Sequence, residues 1–542
     1  MAEPAPDVLA LHALGRGSKL AVVDNRPGAS PRIVTFAELN TAANQLANAF
    51  LDAGITSDDR IAWCAQNSVE VITTLHATRK AGIGSVPVNY RLTADEAAYV
   101  IDDSDAVAIV VDADRAPLLS QIASRVPKVR LVVVFGGNPR ARAAPGAGDT
   151  RARAAPGAGD TGKRIAYEDF VRNASGDEPR PGLASNEQVI YTSGTTGRPK
   201  GAVRRGSGSP QQALGLIQLL GANADDVHLT TGPLYHSGPL AFFTLAHMLG
   251  NTVIVQHHFD AEDWLRLVDR YRVTTTFAAP APIRLVCNVP PTVKARYDRS
   301  SMRALIANAA PWSMTLKEAY LADFPEDSLY EVYGATELGI ITVLLPSEQR
   351  TKPGSCGRPA PHVEVVLVDD SGNEVTDAGA PGELFVRASS VFSTYHKAHD
   401  KYTEEHRGDW HTVGDIAYRD DDGYLFICDR KKDMVISGGV NIYPAEIEAV
   451  LEQHPGVFDV AVIGVPSEEW GEAVHAVIVP SDPSLTEADV VRFAREHLAG
   501  YKVPKTIAFV DELPRTGSGK LLKRQLRAEA GPERPFRAGN GG

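Results

Sequence analysis

Cysteine is scarce in this chain, and the few that occur are scattered. Cys64, Cys287, Cys356 and Cys428 stand far apart with no CxxC pair. That excludes a disulfide framework, disfavours a zinc site, and makes a reducing cytoplasm the expected setting. Long apolar runs are also missing. The nearest, Leu240–Val255, is broken by His247, Asn251 and Thr252, so no spanning helix is expected and the segment reads as buried core of an α/β domain. The opening Met1-Ala2-Glu3-Pro4 has neither the basic start nor the apolar centre of a secretory signal,. Positive charge is not in excess either. With 55 Lys and Arg against 67 Asp and Glu, the net charge is −12. A dedicated nucleic-acid partner is therefore not expected, although a local basic site for phosphates remains compatible.

What is present points to a layered α/β protein. At 542 residues the chain is too long for one simple core, so at least two domains are expected. Helical and strand patterns alternate from the start. Phe36–Ala53 and Val69–Lys80 read as helices, the second closed by Ala81-Gly82. Arg60–Cys64 reads as a short strand, and Val107–Val111 and Val129–Phe135 as strands of the buried parallel type,. Beyond the strand Gln188–Tyr191, His362–Val368 and Gly382–Arg387 flank a turn at Asp369–Gly372, and Tyr424–Cys428 follows Asp422-Gly423,. Charge concentrates at Asp429–Asp433, which reads as a hinge. After it come a helix started by Pro444 and ended by Pro455-Gly456, strands Asp459–Val465 and Glu472–Val479, and a capping box at Thr486/Asp489,. The fold class expected is α/β: a large layered N-terminal α/β domain over 1–430 and a small mobile α+β C-terminal domain over 431–542. Residues 140–161 consist of RARAAPGAGDT written twice. Such a segment cannot bury a face, and it reads as a surface loop insertion made by slippage duplication.

The residues that carry chemistry begin with Tyr191-Thr-Ser-Gly-Thr-Thr-Gly-Arg-Pro-Lys-Gly201. Glycines let a loop close on phosphate oxygens, whose charge is met by backbone N–H groups, hydroxyls and an ammonium. It is not a Walker A loop, because Arg198-Pro199 separate Gly197 from Lys200,. As a bare Gly/Ser/Thr loop it would fit a structural turn equally well. Taken whole, the string resembles the phosphate-loop motif of the adenylate-forming superfamily: acyl-CoA synthetases, firefly luciferases and the adenylation domains of peptide synthetases. The likeness is nearest to fatty-acyl-CoA ligases and spans about Ser30 to Arg527. It implies that Thr192, Ser193, Gly194, Thr195, Thr196, Gly197 and Lys200 bind the nucleotide's phosphates.

Further motifs follow in the family's order, and their roles are what the resemblance implies. Tyr333-Gly334-Ala335-Thr336-Glu337 is similar to the adenine and metal motif: Tyr333 would stack on adenine, Thr336 would hold the α-phosphate and Glu337 would bind Mg²⁺. Asn308-Ala309-Ala310-Pro311 falls where the family has Gly-Gly-Ala-Pro beside the adenine. His411-Thr-Val-Gly-Asp415 resembles the ribose turn, with an extra valine. A carboxylate such as Asp415 suits a vicinal diol because its two oxygens can accept from two donors. In Asp429–Asp433, Arg430 would reach the ribose and Lys432 falls at the pivot. Ser437, Gly438 and Gly439 match the loop that enters for the second half-reaction. Lys520, in Pro514-Arg-Thr-Gly-Ser-Gly-Lys520, matches the adenylation lysine, and Leu521 rules out a Walker reading there. His236, in Pro233–Pro239, would lie between the nucleotide and acyl sites.

The expected activity is an acyl-CoA ligase: adenylation of a hydrophobic carboxylic acid with ATP and Mg²⁺, then thioester formation with coenzyme A, releasing AMP and pyrophosphate. A carboxylate is already ionised at neutral pH, so the attack needs positioning and charge neutralisation rather than a general base. Small residues (Ser237, Gly238, Ala335, Gly339) and apolar ones (Leu234, Ile340, Ile341) suggest a fatty acid or a ring-bearing acid, such as a steroid side-chain acid. The alternative kept open is an acyl-AMP ligase that loads a carrier-protein thiol. A light-producing oxygenase and a catalytically dead scaffold are the remoter readings. Expected partners are the acid, ATP and CoA, with no nucleic acid and no membrane span; peripheral membrane contact and a homodimer stay open.

Overall fold

The computed structural model describes residues 7–26, 28–136, 162–179, 187–192, 199–205, 208–308, 310, 312–437, 440–467, 469–515 and 521–530. The tandem repeat lies outside them. The chain divides into two compact units: Met1–Ala278 with Asn288–Leu305 and Ser389–Glu404, and Ala279–Cys287 with Ile306–Ala388 and Glu405–Gly542.

In the first unit the apolar runs become a parallel sheet. Its strands lie in the order Thr394–Tyr395, Lys200–Arg204, Gln188–Thr192, Gly84–Pro87, Arg60–Cys64, Ala106–Asp112, Leu131–Phe135 and Lys163–Ala166. From Gln188–Thr192 onward every neighbour is parallel, as strands buried on both faces should be. Its other end is antiparallel, because Gln188–Thr192 turns straight back into Lys200–Arg204. A second set of strands joins Leu20–Asn25, Thr252–Gln256, Val227–Thr230 and Thr275–Ala278 in parallel, with Arg32–Thr35 antiparallel to the first.

Helices cover these sheets where the sequence placed them. Phe36–Asp52 starts on a capping box of Thr35 and Glu38, and Val69–Ala81 ends on Gly82 in the left-handed region,. The apolar stretch 240–255 divides into the helix Ser237–Leu249 and the strand Thr252–Gln256, with Gly250 at φ 75° between them. A Cβ on Gly250 would also meet the His12 ring at 2.8 Å. His247, which interrupts the apolar run, pairs inside the core with His76 across 2.8 Å. Burial drives the His247 imidazole down to about 3, so it stays neutral,. Among the described residues no helix is long and apolar enough to cross a membrane.

The second unit opens with the antiparallel pair Leu329–Ala335 and Gly339–Leu344. Glu364–Val368, Gly382–Arg387, Asp415–Arg419 and Leu425–Arg430 then pair antiparallel in succession. The first of these starts two residues later than expected, because His362 sits at φ 60° in a turn. The last runs two residues further, into the charged cluster, since Arg430 pairs with Asp415. The remaining segment forms a sheet of Val435–Ser437, Val440–Ile442, Val457–Ser467, Gly471–Pro480 and Thr506–Phe509. It is flanked by the helices Pro444–Leu451, Glu487–His497 and Lys523–Glu529. The first of these helices stops before Pro455, as the N–H groups of Gln453 and His454 turn back to the carbonyls of Val450 and Leu451.

Candidate active site

Three residues far apart in sequence meet in the second unit. Tyr333 projects from Leu329–Ala335, while Asp415 and Arg430 face each other across two paired strands. The Tyr333 hydroxyl donates to Asp415 Oδ2. Arg430 Nε lies 3.2 Å from Asp415 Oδ1. Asp415 is 5% exposed. Burial and the adjacent carboxylate push the Tyr333 hydroxyl well above its usual range, so it remains a donor,. Burial works against the Arg430 charge, but Asp415, Tyr333, Asp433 and Glu337 outweigh it and raise Arg430 overall. Among the described residues each Asp415 oxygen has one side-chain partner and keeps a lone pair for a further donor, which fits a vicinal diol,.

The turn before Asp415 is held by contacts that sequence reasoning missed, because they join distant residues. Thr412 donates to Glu383 at 3.0 Å and accepts from the Gly414 N–H at 2.9 Å. The Lys431 N–H donates to the Gly414 carbonyl at 2.7 Å, and its ammonium reaches Glu383 at 3.1 Å. Gly414 sits at φ 77°, so the turn absorbs the extra Val413 at a position where a side chain would be strained. Lys432, in the turn that follows, is brought down to about 8 by burial and by the Arg430 charge.

Around Tyr333 the backbone is tightly packed. A Cβ on Gly334 would lie 2.2 Å from the Gly339 carbonyl oxygen, so the turn carrying Thr336 and Glu337 needs glycine there. Glu337 is 8% exposed. Asn308 donates to the Val332 carbonyl at 2.6 Å, which lays its segment along the Tyr333 strand. Ala310 follows, while Ala309 and Pro311 lie outside the described residues. Beneath this strand, Lys317 and Glu331 form an ion pair with side-chain exposures of 1% and 11%. Removing one partner of such a pair strands a charge. Lys317→Met is expected to cost about 3–5 kcal/mol, and the double variant Lys317→Met/Glu331→Leu to recover most of it in urea melts. Equal losses in single and double variants would mean that shape, not charge, sets the cost.

Other candidates fall elsewhere. Thr192 and Lys200, at the two ends of the phosphate loop, are opposite one another in the hairpin of the first unit. The Lys200 ammonium lies 5.6 Å from the centre of the Tyr395 ring. Tyr191 donates to Asp103 at 2.7 Å, and Tyr99 to the Pro199 carbonyl at 3.1 Å. His236 caps the helix Ser237–Leu249, its ring 4.3 Å from that of Tyr235. Two residues on, Gly238 leaves room for Phe277, whose ring atoms a Cβ would meet at 2.4 Å. Leu234 and Ile341 are fully buried. Ser437 pairs with Gly471 on one side and Val440 on the other within the last sheet. Ser193, Gly194, Thr195, Thr196, Gly197, Gly438, Gly439 and Lys520 lie outside the described residues, though Arg515 and Leu521 bridge at the base of the last loop.

Among the described residues no group of three or more His, Cys, Asp or Glu could hold a metal ion. A single carboxylate such as Glu337 fits Mg²⁺ bound chiefly through substrate phosphates and water.

The AMP-binding enzyme family matches residues 9–396, and the AMP-binding enzyme C-terminal domain matches residues 446–520. The chain therefore belongs to the AMP-binding, adenylate-forming enzymes. Within that class it is an AMP-forming acid–thiol ligase, an acyl- or aryl-CoA synthetase using ATP, Mg²⁺ and CoA. Long-chain-fatty-acid–CoA ligase FadD13 of Mycobacterium tuberculosis is 33% identical over 499 residues, covering 92% of this chain and 93% of that one. Feruloyl-CoA synthase of Amycolatopsis sp. is 34% identical over 504 residues, covering 92% and 94%. Among solved structures, o-succinylbenzoate CoA synthetase (MenE) of Bacillus subtilis, in complex with the acyl-adenylate intermediate OSB-AMP, superposes with a TM-score of 0.80 at 26% identity over 100% of both chains.

Proposed function

We propose that this ligase activates a hydrophobic carboxylic acid, a fatty acid or a ring-bearing acid, and passes it to CoA. The observation that carries the nucleotide half of the reading is the buried Asp415 carboxylate, fixed between Tyr333 and Arg430 with free lone pairs for the ribose hydroxyls. For the acid, support comes from the surroundings of His236, where Phe242 of the helix that His236 precedes stacks on Phe277 at 5.2 Å.

In this reading the nucleotide's phosphates lie against the 192–200 loop and Lys200, its adenine against Tyr333 and the 308–311 segment. Thr336 holds the α-phosphate. Glu337 would hold Mg²⁺, which would supply charge screening at the phosphates. Lys520 bridges the acid's carboxylate and the α-phosphate, offsetting the repulsion of two anions as pyrophosphate leaves. Residues 431–542 then turn about Lys432, withdrawing Lys520 and bringing in the segment after Ser437, so that the thiol can attack the acyl carbonyl and AMP departs. His236 separates the nucleotide from the acyl site. The compartment is the cytoplasm, where four scattered thiols stay reduced.

The test is ATP–pyrophosphate exchange over a panel of acids, with CoA or a phosphopantetheinylated carrier protein as acceptor. Exchange with a hydrophobic acid, followed by CoA thioester, is the expected result. Thioester on the carrier alone would move the acceptor. Exchange restricted to short or polar acids would overturn the substrate class.

A further inference from the structure

The charged segment 429–433 is fastened to the C-terminal helices from both flanks of Lys432, and the two fastenings differ in kind. On the far flank, Asp433 pairs with Arg527 at 2.8 Å, a contact wholly within residues 431–542. On the near flank, Asp429 lies in the last strand of the preceding sheet, one residue before its end, yet its carboxylate reaches forward. Asp429 Oδ2 accepts from the Ala445 N–H at 3.0 Å, and Oδ1 from the Arg430 N–H at 2.7 Å. Ala445 belongs to the first turn of Pro444–Leu451, whose own N-cap, Tyr443, makes no side-chain cap hydrogen bond. Asp429 therefore caps this helix from outside it, sixteen residues upstream, and an anion is well placed at that end. The Lys523 ammonium, paired with Glu448 at 2.8 Å, adds attraction to the same carboxylate. Glu448 in turn accepts from the Val462 N–H at 2.7 Å. Asp429 is 8% exposed, so it is held inside this network rather than at its rim.

Any rotation about Lys432 carries Asp433, Ala445, Glu448, Lys523 and Arg527 together and leaves Asp429 behind. We propose that Asp429 is a positioning residue, a latch whose carboxylate holds the C-terminal helices in the orientation seen here and must let go of Ala445 for the second orientation to form. The latch rests on the pivot at Lys432 described above. Its role is to set the balance between two orientations, and hence between the half-reactions each supports; it does not touch substrate.

Two readouts test it. The first is the ratio of pyrophosphate exchange to thioester formation from supplied acyl-adenylate. Asp429→Ala is expected to change that ratio roughly fivefold or more, the size that loss of one helix cap predicts. Asp429→Asn keeps an acceptor for Ala445 and is expected to change it less. Asp433→Asn, on the far flank, is expected to leave the ratio near that of the wild type. The second readout needs no ligase activity: tryptic cleavage after Arg430, Lys431 and Lys432 in the full-length protein should quicken by a similar factor in Asp429→Ala. Equal changes in both half-reactions, an unchanged ratio, or a shift in Asp433→Asn as large as in Asp429→Ala would overturn the latch. Wild-type protein lacking either half-reaction would overturn the proposed function instead, with proteolysis still deciding on the latch.

Discussion

Lys520→Ala is expected to lower acid-dependent pyrophosphate exchange by on the order of 10³-fold, while thioester formation from supplied acyl-adenylate stays near the wild-type rate. Adenylation brings an anionic carboxylate against an anionic α-phosphorus, and a cation bridging the two acts only while that bond forms. Once the adenylate exists, the thiol attacks a neutral carbonyl, and the same ammonium has nothing left to neutralise. Near the loop, Arg515 pairs with Asp459 at 2.7 Å and bridges Leu521. The substitution should therefore remove a charge without disturbing the segment's attachment. Parallel half-reaction assays read the result. Equal loss of both steps would mean that Lys520 serves the whole site and not adenylation alone.

Asp415→Ala carries the second large effect. Its carboxylate is engaged by the Tyr333 hydroxyl and Arg430 Nε, and in the proposed function it also receives both ribose hydroxyls. Hydrogen bonds to a charged group contribute about 1.5–3 kcal/mol each, so losing two should raise the KM for ATP roughly 10²-fold or more. Stability should also fall by about 2–4 kcal/mol, because Tyr333 and Arg430 lose their shared acceptor. Tyr333→Phe separates the two effects: it removes one hydrogen bond to Asp415, keeps the ring, and should cost about 1.5–3 kcal/mol of stability. The comparison needs KM values for ATP and for the acid, together with thermal melts. If the KM for the acid rises as much as that for ATP, Asp415 is not the ribose residue.

Much of this protein was already determined by its sequence. Parallel strands such as the 106–112 run and Leu131–Phe135 follow from β-branched stretches too apolar for a solvated face,. Helix ends follow from local chemistry, as at Thr35/Glu38, Gly82 and Thr486/Asp489. The motifs gave the class of enzyme because each packs several chemically specific residues into a few consecutive positions. Tertiary structure decided what no short window contains. That Asp415 lies opposite Arg430 depends on strand register. The Glu383 contact with Thr412 and Lys431 joins residues separated by 29 and 48 positions. Nothing local joins Lys317 to Glu331, fourteen positions apart, until packing buries them together. Asp429 read only as part of a charged hinge because nothing local reveals a helix sixteen residues ahead in need of a cap. Local propensity and motif chemistry act over a few residues and survive in the sequence as pattern. Which charges face each other is set only when strands pair and helices pack.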